Sequence, residues 1–379
     1  MNLYDNLCNI FCYILCHYIL GRKNKDKSLS TILLWLAIFI TAVVAGLRAD
    51  TIGTDVRTYV EPMYNLAKQS NSYVEFLNSS FLKEYVNMKI SSSEPGYSLF
   101  VYIIAKSGGN LAANLFFTQL FINAFILFGI WHFRDKMNVW LGMLVFYTLF
   151  YNESLNMIRQ WMAMSVLIYG FKYLAEQRWG SYLLCVLFAT SFHSSGMVGI
   201  LFLLVYYLLN IVNDNAKILV SLPNRKISLK VTITALVTIL LSFIFLNTQV
   251  ISTLLNGIDR SDYVAGYMKN GISFSLIRLL NVLPMVLLYI FRNRTIQKDA
   301  RYFFAVTVFG SMAVAQFSTI TTFGGRILDF FTMYNVYTMP LLTKNSKSLK
   351  LLVIAYCIFY WWYYIVFLRY NDTVTYVFG

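Results

Sequence analysis

Charged residues are scarce in this chain of 379 residues. They make up 13% of the sequence, whereas hydrophobic residues make up 58%. An average globular domain has about 25% charged and roughly 45–50% apolar residues. An apolar excess of this size, spread along nearly the whole length, does not fit into one water-soluble core. The composition therefore excludes a water-soluble enzyme, a disordered protein and a nucleic-acid-binding domain.

Apolar runs of about 20 residues, the length of a helix that crosses a bilayer, recur along the chain. The run at 96–106 is shorter and lies between Pro95–Gly96 and Ser107–Gly109, so we predict a re-entrant or interfacial segment there. The sequence thus predicts an all-α polytopic integral membrane protein with one transmembrane domain over 1–379 and about 12 transmembrane helices. These predicted spans are 3–20, 30–47, 111–131, 138–152, 157–175, 180–192, 196–212, 231–248, 274–291, 302–321, 326–343 and 349–368.

The distribution of basic residues predicts the orientation of these spans. Cytoplasmic loops of membrane proteins carry an excess of Lys and Arg. Alternating the spans outward from a cytoplasmic loop at Arg22–Lys27 places 19 of the 31 Lys and Arg on the cytoplasmic side. The whole net charge of +14 then lies on that side. Membrane topology therefore explains the positive charge, and no nucleic-acid partner is needed.

This orientation places two larger segments on the outer side, a loop at 48–95 and a second loop at 249–273. Three of the five cysteines, Cys8, Cys12 and Cys16, recur every four residues beside His17 in an apolar run. Buried cysteine usually behaves as a small hydrophobe. We therefore predict no metal site and no cofactor.

Several polar residues occupy outer span ends, where apolar residues are expected. Ionisable groups at membrane depth are costly and mark functional sites or buried pairs. Asn156, Arg159 and Gln160 are spaced to share one face of a helix. An acidic ligand is one explanation for the arginines, and intramolecular pairs such as Arg326 with Asp329 are the other. The residues concerned are Arg48, Asp55, Glu94, Asn156, Arg159, Gln160, His193, Arg278 and Arg326.

At these residues the sequence resembles the EpsG family of bacterial polysaccharide polymerases, which overlaps the Wzy-type O-antigen and capsule polymerases. Four parts of the chain carry the resemblance, in the order that the family has them. They are GLRADTIGTDVRTYV at 46–60, EPGYSLFVYIIAK at 94–106, NMIRQWMAMSVLIYGFKYL at 156–174 with SFHSSGMVGILFLLVYYLL at 191–209, and GGRILDFFTMYNVYTMPLL at 324–342.

The resemblance implies a glycosyltransferase on the outer face of the bacterial cytoplasmic membrane. Such an enzyme moves the growing glycan from its polyprenyl diphosphate to a sugar hydroxyl of an incoming lipid-linked unit. The implied partners are the polyprenyl-diphosphate-linked oligosaccharide, the lipid bilayer and a chain-length regulator protein. The sequence contains no Gly-rich phosphate loop or nucleotide fold, which argues against a nucleotide-sugar donor.

The chemistry of this reaction suggests a role for each candidate residue. Arginine holds phosphate oxygens bidentately and keeps its charge, so Arg159 is expected to stabilise the leaving diphosphate. The acceptor hydroxyl has to lose a proton, for which His193 is the expected base and Asp55 the competing one. The residues expected to bind diphosphate or sugar are Arg48, Glu94, Asn156, Gln160, Arg278 and Arg326.

Other membrane proteins share part of this pattern. A flippase or another transporter for lipid-linked oligosaccharides is also polytopic and basic, but broken helices near the bilayer midplane and paired repeats are typical of it. An O-antigen ligase and a membrane acyltransferase also place polar residues at one membrane face. The four matching stretches favour a polymerase over these alternatives.

Overall fold

A computed structural model of the protein describes residues 27–83, 86–211, 218–222, 225–246, 275–296, 298–319, 322–370, 373 and 376–378. The predicted span at 3–20, the cysteines near His17 and the predicted loop at 249–273 lie outside these residues. The chain divides into two compact units. Unit 1 comprises residues 1–200 and 345–379, and unit 2 comprises residues 201–344.

Helices make up most of unit 1. Its one hairpin in the described residues pairs β1 (Ser80–Lys83) with antiparallel β2 (Val86–Lys89). A π-helical turn, Val56–Val60, leads into the second helix. The helices are α1 (Lys27–Gly46), α2 (Glu61–Gln69), α3 (Tyr73–Asn78), α4 (Pro95–Lys106), α5 (Leu111–His132), α6 (Val139–Leu149), α7 (Tyr151–Asn156), α8 (Ile158–Ala175), α9 (Trp179–Phe192), α10 (Val198–Ile211, which continues into unit 2) and α16 (Lys347–Trp361).

Local sequence signals fix where α4 and α5 begin. Pro95 occupies the first turn of α4, where its missing N–H costs nothing and its fixed φ suits a helix. At the start of α5, the side chain of Asn110 accepts a hydrogen bond from the Ala113 N–H at 2.8 Å. Gly108 turns the chain between these helices with a φ of +81°. Glycine reaches this conformation without the strain of a Cβ atom.

The core of unit 1 lies between α5, α8 and their neighbours. Helix α5 packs against α1 and α8, α8 packs against α9, and α16 packs against α6. The Trp161 ring is fully buried and lies 5.3 Å from the Phe150 ring. Several polar side chains inside the bundle form hydrogen bonds with one another, as with Asn123 Nδ2 and Thr41 Oγ1 at 2.7 Å. Burial of such groups is tolerable because each of these bonds replaces one to water.

Unit 2 is a separate helical bundle with one hairpin among its described residues. Strand β3 (Ile218–Leu222) pairs with antiparallel β4 (Arg225–Ser228). An aromatic cluster of Phe202, Phe303, Phe331 and Tyr334 fills part of its core. Its helices are α11 (Leu229–Leu246), α12 (Leu276–Arg292), α13 (Lys298–Phe317), α14 (Thr322–Thr332) and α15 (Asn335–Leu342).

The described residues include four helices that are long and apolar enough to cross a membrane. They are Leu111–His132, Ser194–Ile211, Ala300–Phe317 and Lys347–Phe367. Apolar side chains also point outward from several helices, and Leu184, Ile239 and Leu351 are more than half exposed. Helices of this length and apolar character confirm an integral membrane protein that is mostly helical. The total of about 12 spans stays a prediction.

The eleven predicted spans at 30–368 all coincide with helices in their described residues, but two of them contain a break. The run at 138–152 is divided between α6 and α7, and the run at 326–343 is divided between α14 and α15. The segment at 96–106 forms α4, whose 12 residues measure about 18 Å at 1.5 Å per residue. That length is shorter than the roughly 30 Å of a hydrocarbon core. The two hairpins had no counterpart in the all-α prediction.

Candidate active site

A tight turn after α1 packs against the junction of α7 and α8. Gly53 has a φ of +86°, and a Cβ atom on it would lie 2.7 Å from the Leu155 carbonyl oxygen. Glycine is therefore required by both the backbone angle and the close approach. This contact brings the first family-like stretch against the third, although about a hundred residues separate them.

Asn156 holds the same turn through its side chain. Its Oδ1 accepts a hydrogen bond from Thr54 Oγ1 at 2.7 Å and one from the Asp55 N–H at 3.4 Å. The expected helical face of Asn156, Arg159 and Gln160 is interrupted, because α7 ends at Asn156 and α8 begins at Ile158. Asn156 thus joins the site by fixing the turn that carries Asp55.

Arg159 and Glu94 form a largely buried ion pair. Arg159 Nη1 lies 2.7 Å from Glu94 Oε2, and the side chains are 13% and 17% exposed. The guanidinium also stacks 4.2 Å from the centre of the Tyr59 ring. Such planar stacking and charge-assisted bonding fix the direction of an arginine fork. The second family-like stretch therefore meets the third at this ion pair.

Glu94 also binds the turn that follows α9. Its Oε1 accepts a hydrogen bond from the Ser194 N–H at 3.3 Å. Burial alone raises the pKa of the Glu94 carboxyl, but the electrostatic effects of Arg159 and His193 and the backbone hydrogen bonds outweigh it. The pKa of Glu94 therefore lies below its ordinary value. Glu94 is a carboxylate with both oxygens engaged.

His193 caps the short 3-10 helix Ser194–Met197. Its Nδ1 accepts a hydrogen bond from the Ser195 N–H at 3.2 Å and lies 2.5 Å from Ser195 Oγ. A backbone N–H is always a donor, so Nδ1 acts as the acceptor. The proton of the neutral imidazole then lies on Nε2, which makes His193 a hydrogen-bond donor on its other side.

Arg48 is an arginine of the site that is almost completely buried, with 5% of its surface exposed. Its Nε and Nη1 atoms meet no hydrogen-bond acceptor within the described residues. Tyr376, Tyr97 and Asp55 act on it electrostatically. Burial lowers the pKa of the Arg48 guanidinium from its ordinary value, because the charge is held away from water. An anion at this position would relieve that cost.

The C-terminal segment covers the backbone at Arg48. The Ala49 N–H donates to the Val377 carbonyl at 2.8 Å, and Arg48 pairs with Phe378 as an isolated antiparallel bridge. The Tyr376 hydroxyl donates to the Val44 carbonyl at the end of α1. No sequence signal identified this contact, which joins residues more than 300 positions apart.

Tyr97 is a further group of the site that the sequence prediction omitted. It follows Glu94 by three residues in the first turn of α4, is fully buried, and has a hydroxyl without a partner among the described residues. The Arg159 guanidinium lies 5.9 Å from the centre of its ring. The EPGY stretch contained this tyrosine, but its neighbours become evident only in the fold.

The remaining predicted residues are placed as follows. Gln160 is buried in α8, and its Nε2 lies 3.7 Å from Met164 Sδ. Arg278 and Arg326 belong to unit 2, where Arg278 lies in the first turn of α12 and Arg326 is exposed on α14. Their part in the same site stays a prediction. The alternative of intramolecular pairing holds for Arg57, which lies 3.9 Å from Asp50 at the surface.

Unit 1 therefore contains buried hydrogen-bond donors that have no acceptor among the described residues and that lie near carboxylates. Arg48 Nε and Nη1, Arg159 Nε and the Tyr97 hydroxyl are buried, and each lacks a hydrogen-bond partner in the described part of unit 1. Asp55 acts electrostatically on all three of these residues. Arginine and phenol donors of this kind suit an oxyanion such as a phosphate. The described residues contain no group of three or more His, Cys, Asp or Glu side chains arranged to hold a metal ion.

Comparisons with known proteins give one match. The sequence model of the EpsG family matches residues 31–378, which is most of the chain. The comparison with curated proteins and the comparison with solved structures return no match. The matched range includes every residue of the site described above.

Proposed function

Because the chain belongs to the EpsG family, which points to a membrane protein of the polysaccharide-polymerase type, we propose that it polymerises lipid-linked oligosaccharides. In this proposal the donor is a glycan on a polyprenyl diphosphate, and the acceptor is a sugar hydroxyl of another lipid-linked repeat unit. The site lies on the outer face of the bacterial cytoplasmic membrane. A chain-length regulator protein is the further partner that we propose.

One observation supports this function most directly: buried arginine donors without acceptors. Two arginines and a tyrosine in unit 1 retain unused hydrogen-bonding capacity around Asp55. A buried hydrogen-bond donor without an acceptor is costly, so such groups persist where a ligand or the reaction uses them. The diphosphate of the donor has the charge and the oxygen acceptors that these groups lack.

The proposed reaction is a single displacement at the anomeric carbon of the donor glycan. The acceptor oxygen forms a bond to this carbon while the bond from the carbon to the diphosphate oxygen breaks. The electron pair of the broken bond remains on the diphosphate, where Arg159 and Arg48 stabilise the growing charge. The proton of the acceptor hydroxyl passes to a base of the protein and from there to solvent.

Two residues compete for the role of this base. The capping bonds at His193 Nδ1 leave the proton of the neutral ring on Nε2, which favours a donor role toward diphosphate or sugar. Asp55 is a partly exposed carboxylate on the turn held by Asn156. We therefore propose Asp55 as the base and His193 as a donor, which reverses the order that the sequence suggested.

The other residues of the site position these groups. Glu94 aims the Arg159 guanidinium through its 2.7 Å ion pair and holds the His193 turn through the Ser194 N–H. Asn156 fixes the turn of Asp55. Gln160, Arg278 and Arg326 are proposed as further contacts to sugar or diphosphate.

Deletion of the gene tests the function. We expect surface polysaccharide with single repeat units, which the wild-type gene restores to a ladder of long chains on a gel. A flippase mutant would leave no repeat units at the surface, and a ligase mutant would leave polymer that never reaches its acceptor. Either result would contradict a polymerase.

Complementation with variants tests the site itself. Arg159→Lys keeps the positive charge but loses the planar fork, so polymer should fall by about 100-fold, as for loss of one oxyanion donor. Arg57→Lys is the matched control, because Arg57 is exposed and its contact with Asp50 is long. Membrane levels of both variants should equal the wild-type level. Full polymer from Arg159→Lys would show that this arginine is structural.

A further inference from the structure

Tyr97 carries the unexplained polar atom of the site. The residue is fully buried, yet its hydroxyl has no hydrogen-bond partner among the described residues. A phenol that is buried this deeply usually finds a partner, because leaving water without one is costly. A phenylalanine would fill the same space without that cost. The hydroxyl therefore suggests a partner that arrives with a ligand.

The surroundings of the phenol indicate what that ligand is. Arg159, Asp55, Arg48 and Glu94 all act on Tyr97 electrostatically, so the ring lies among the two arginines of the proposed diphosphate site. The Arg159 guanidinium is 5.9 Å from the ring centre. Both arginines keep nitrogen atoms without acceptors in the described part of the chain. An oxyanion that satisfies these nitrogens is also the natural acceptor for a neighbouring hydroxyl.

The phenol keeps its proton under working conditions. Burial raises the pKa of Tyr97 above its ordinary value, although Arg159 and Arg48 act in the opposite direction. At neutral pH the hydroxyl is therefore a neutral donor. A neutral donor adds no further positive charge to a buried site that already contains two arginines.

We propose that the Tyr97 hydroxyl donates a hydrogen bond to the diphosphate oxygen from which the glycan departs. This inference rests on the proposed function. As the carbon–oxygen bond breaks, its electron pair stays on that oxygen, and the hydrogen bond strengthens with the growing charge. Tyr97 keeps its proton throughout, so no proton transfer is required. Because the Tyr97 hydroxyl is closed to solvent in this structure, the residues that cover it have to move apart when the diphosphate enters.

The test compares Tyr97→Phe with the wild type in two assays on purified full-length protein. The first measures polymerisation of a lipid-linked repeat unit, and the second measures thermal stabilisation by farnesyl diphosphate. We expect kcat to fall roughly 10- to 100-fold, the range for loss of one hydrogen bond to a charged group. We also expect weaker stabilisation by farnesyl diphosphate. The melting temperature without ligand should stay equal or rise, because the hydroxyl has no partner in the described fold.

Tyr182→Phe is the matched control, since Tyr182 is equally buried in the same unit and packs against Gly170. Its kcat and its stabilisation by farnesyl diphosphate should equal those of the wild type. An unchanged kcat in Tyr97→Phe would overturn the inference. A fall in kcat that is matched by a lower melting temperature without ligand would also overturn it, since the hydroxyl would then support the fold.

The two assays separate this inference from the proposed function. If the wild type makes no polymer but Tyr97→Phe still weakens stabilisation by farnesyl diphosphate, the polymerase proposal fails and the diphosphate contact stands. If the wild type makes polymer and Tyr97→Phe changes neither assay, the polymerase proposal stands and the role of Tyr97 fails. A wild type that farnesyl diphosphate does not stabilise would overturn the diphosphate contact.

Discussion

Asp55 and His193 differ in their surroundings. His193 Nδ1 is engaged by Ser195, whereas Asp55 lies on a turn near Arg48 and Arg159. We expect Asp55→Asn to lower the polymerisation rate by about 10²–10⁴-fold, the usual contribution of a general base. His193→Gln keeps an N–H donor and should retain part of the activity. The measurement is the rate of polymerisation by purified protein across pH for both variants.

The opposite result has a defined meaning. If His193→Gln is as inactive as Asp55→Asn, and its residual rate no longer depends on pH near neutrality, then histidine is the base that the sequence predicted. The hydrogen bonds between His193 and Ser195 would in that case have to change when the substrate binds. Equal protein levels and melting temperatures for the two variants are the control for folding.

Glu94 links the stability of the site to pH. Its pKa in the folded protein lies below the ordinary value of 4.5, so the ionised carboxylate is the form that the fold stabilises. This stabilisation is complete above the unfolded value and is lost as the pH falls through the lower, folded value. Wild type should therefore melt at a higher temperature than Glu94→Gln near neutral pH. The difference should vanish in acid.

The control for this titration is Asp135→Asn, since Asp135 is an exposed carboxylate outside the site. Near neutral pH its melting temperature should equal that of the wild type, because Asp135 is not part of the Glu94–Arg159 ion pair. A difference between wild type and Glu94→Gln that stays the same from neutral pH into acid would show that the charge of Glu94 does not stabilise the fold.

The turn at Gly53 in unit 1 has little room for change. Gly53→Ala combines an unfavourable positive φ with a contact of 2.7 Å to the Leu155 carbonyl oxygen. Gly108→Ala has a similar φ of +81° but open space around the added carbon. Gly108→Ala thus measures only the free-energy cost of a positive φ in a residue with a Cβ atom, about 1 kcal/mol. We expect Gly53→Ala to lower the melting temperature further and to abolish polymerisation, whereas Gly108→Ala stays active.

Comparing Gly53→Ala with Gly108→Ala separates the backbone strain of a positive φ from the loss of contact between the Gly53 turn and the α7–α8 junction. Equal effects of the two substitutions would show that contact with the α7–α8 junction contributes nothing beyond the left-handed backbone. The orientation of Asp55 would then have to depend on its neighbours in the π-helical turn. Measurements of melting temperature and polymer length on the same preparations provide both readouts.

The charge distribution predicts the orientation of the whole molecule in the membrane. Cys at position 71, in place of the exposed Asn71, should react with a membrane-impermeant thiol reagent in intact cells, because the loop at 48–95 is predicted outside. Cys in place of the exposed Ser348, near Lys347 and Lys350, should react only after the cells are opened. Both are made in a chain whose five native cysteines are replaced. The reverse pattern would place the site of unit 1 in the cytoplasm and contradict the proposed reaction.

The helices were predictable because each depends on neighbouring residues. Runs of about 20 apolar residues and caps such as Asn110 are local signals, and the described parts of the predicted spans are helical. The breaks within 138–152 and at Met157 were not predictable in this way. Beside the break at Met157, Leu155 and Asn156 contact the Gly53 turn, which lies about a hundred residues away in the sequence.

Composition and local patterns were enough to predict the class of the protein and most residues of the candidate site. Scarce charge, apolar runs and the positive charge of one side required a membrane protein, and the family-like stretches contained Asp55, Glu94, Asn156, Arg159 and His193. Which of these residues contact one another became evident only from the three-dimensional fold. The ion pair of Glu94 with Arg159 spans 65 positions, and the C-terminal segment reaches Arg48 from the far end of the chain. Such distant pairings depend on how the helices pack, so local sequence patterns contain no signal for them.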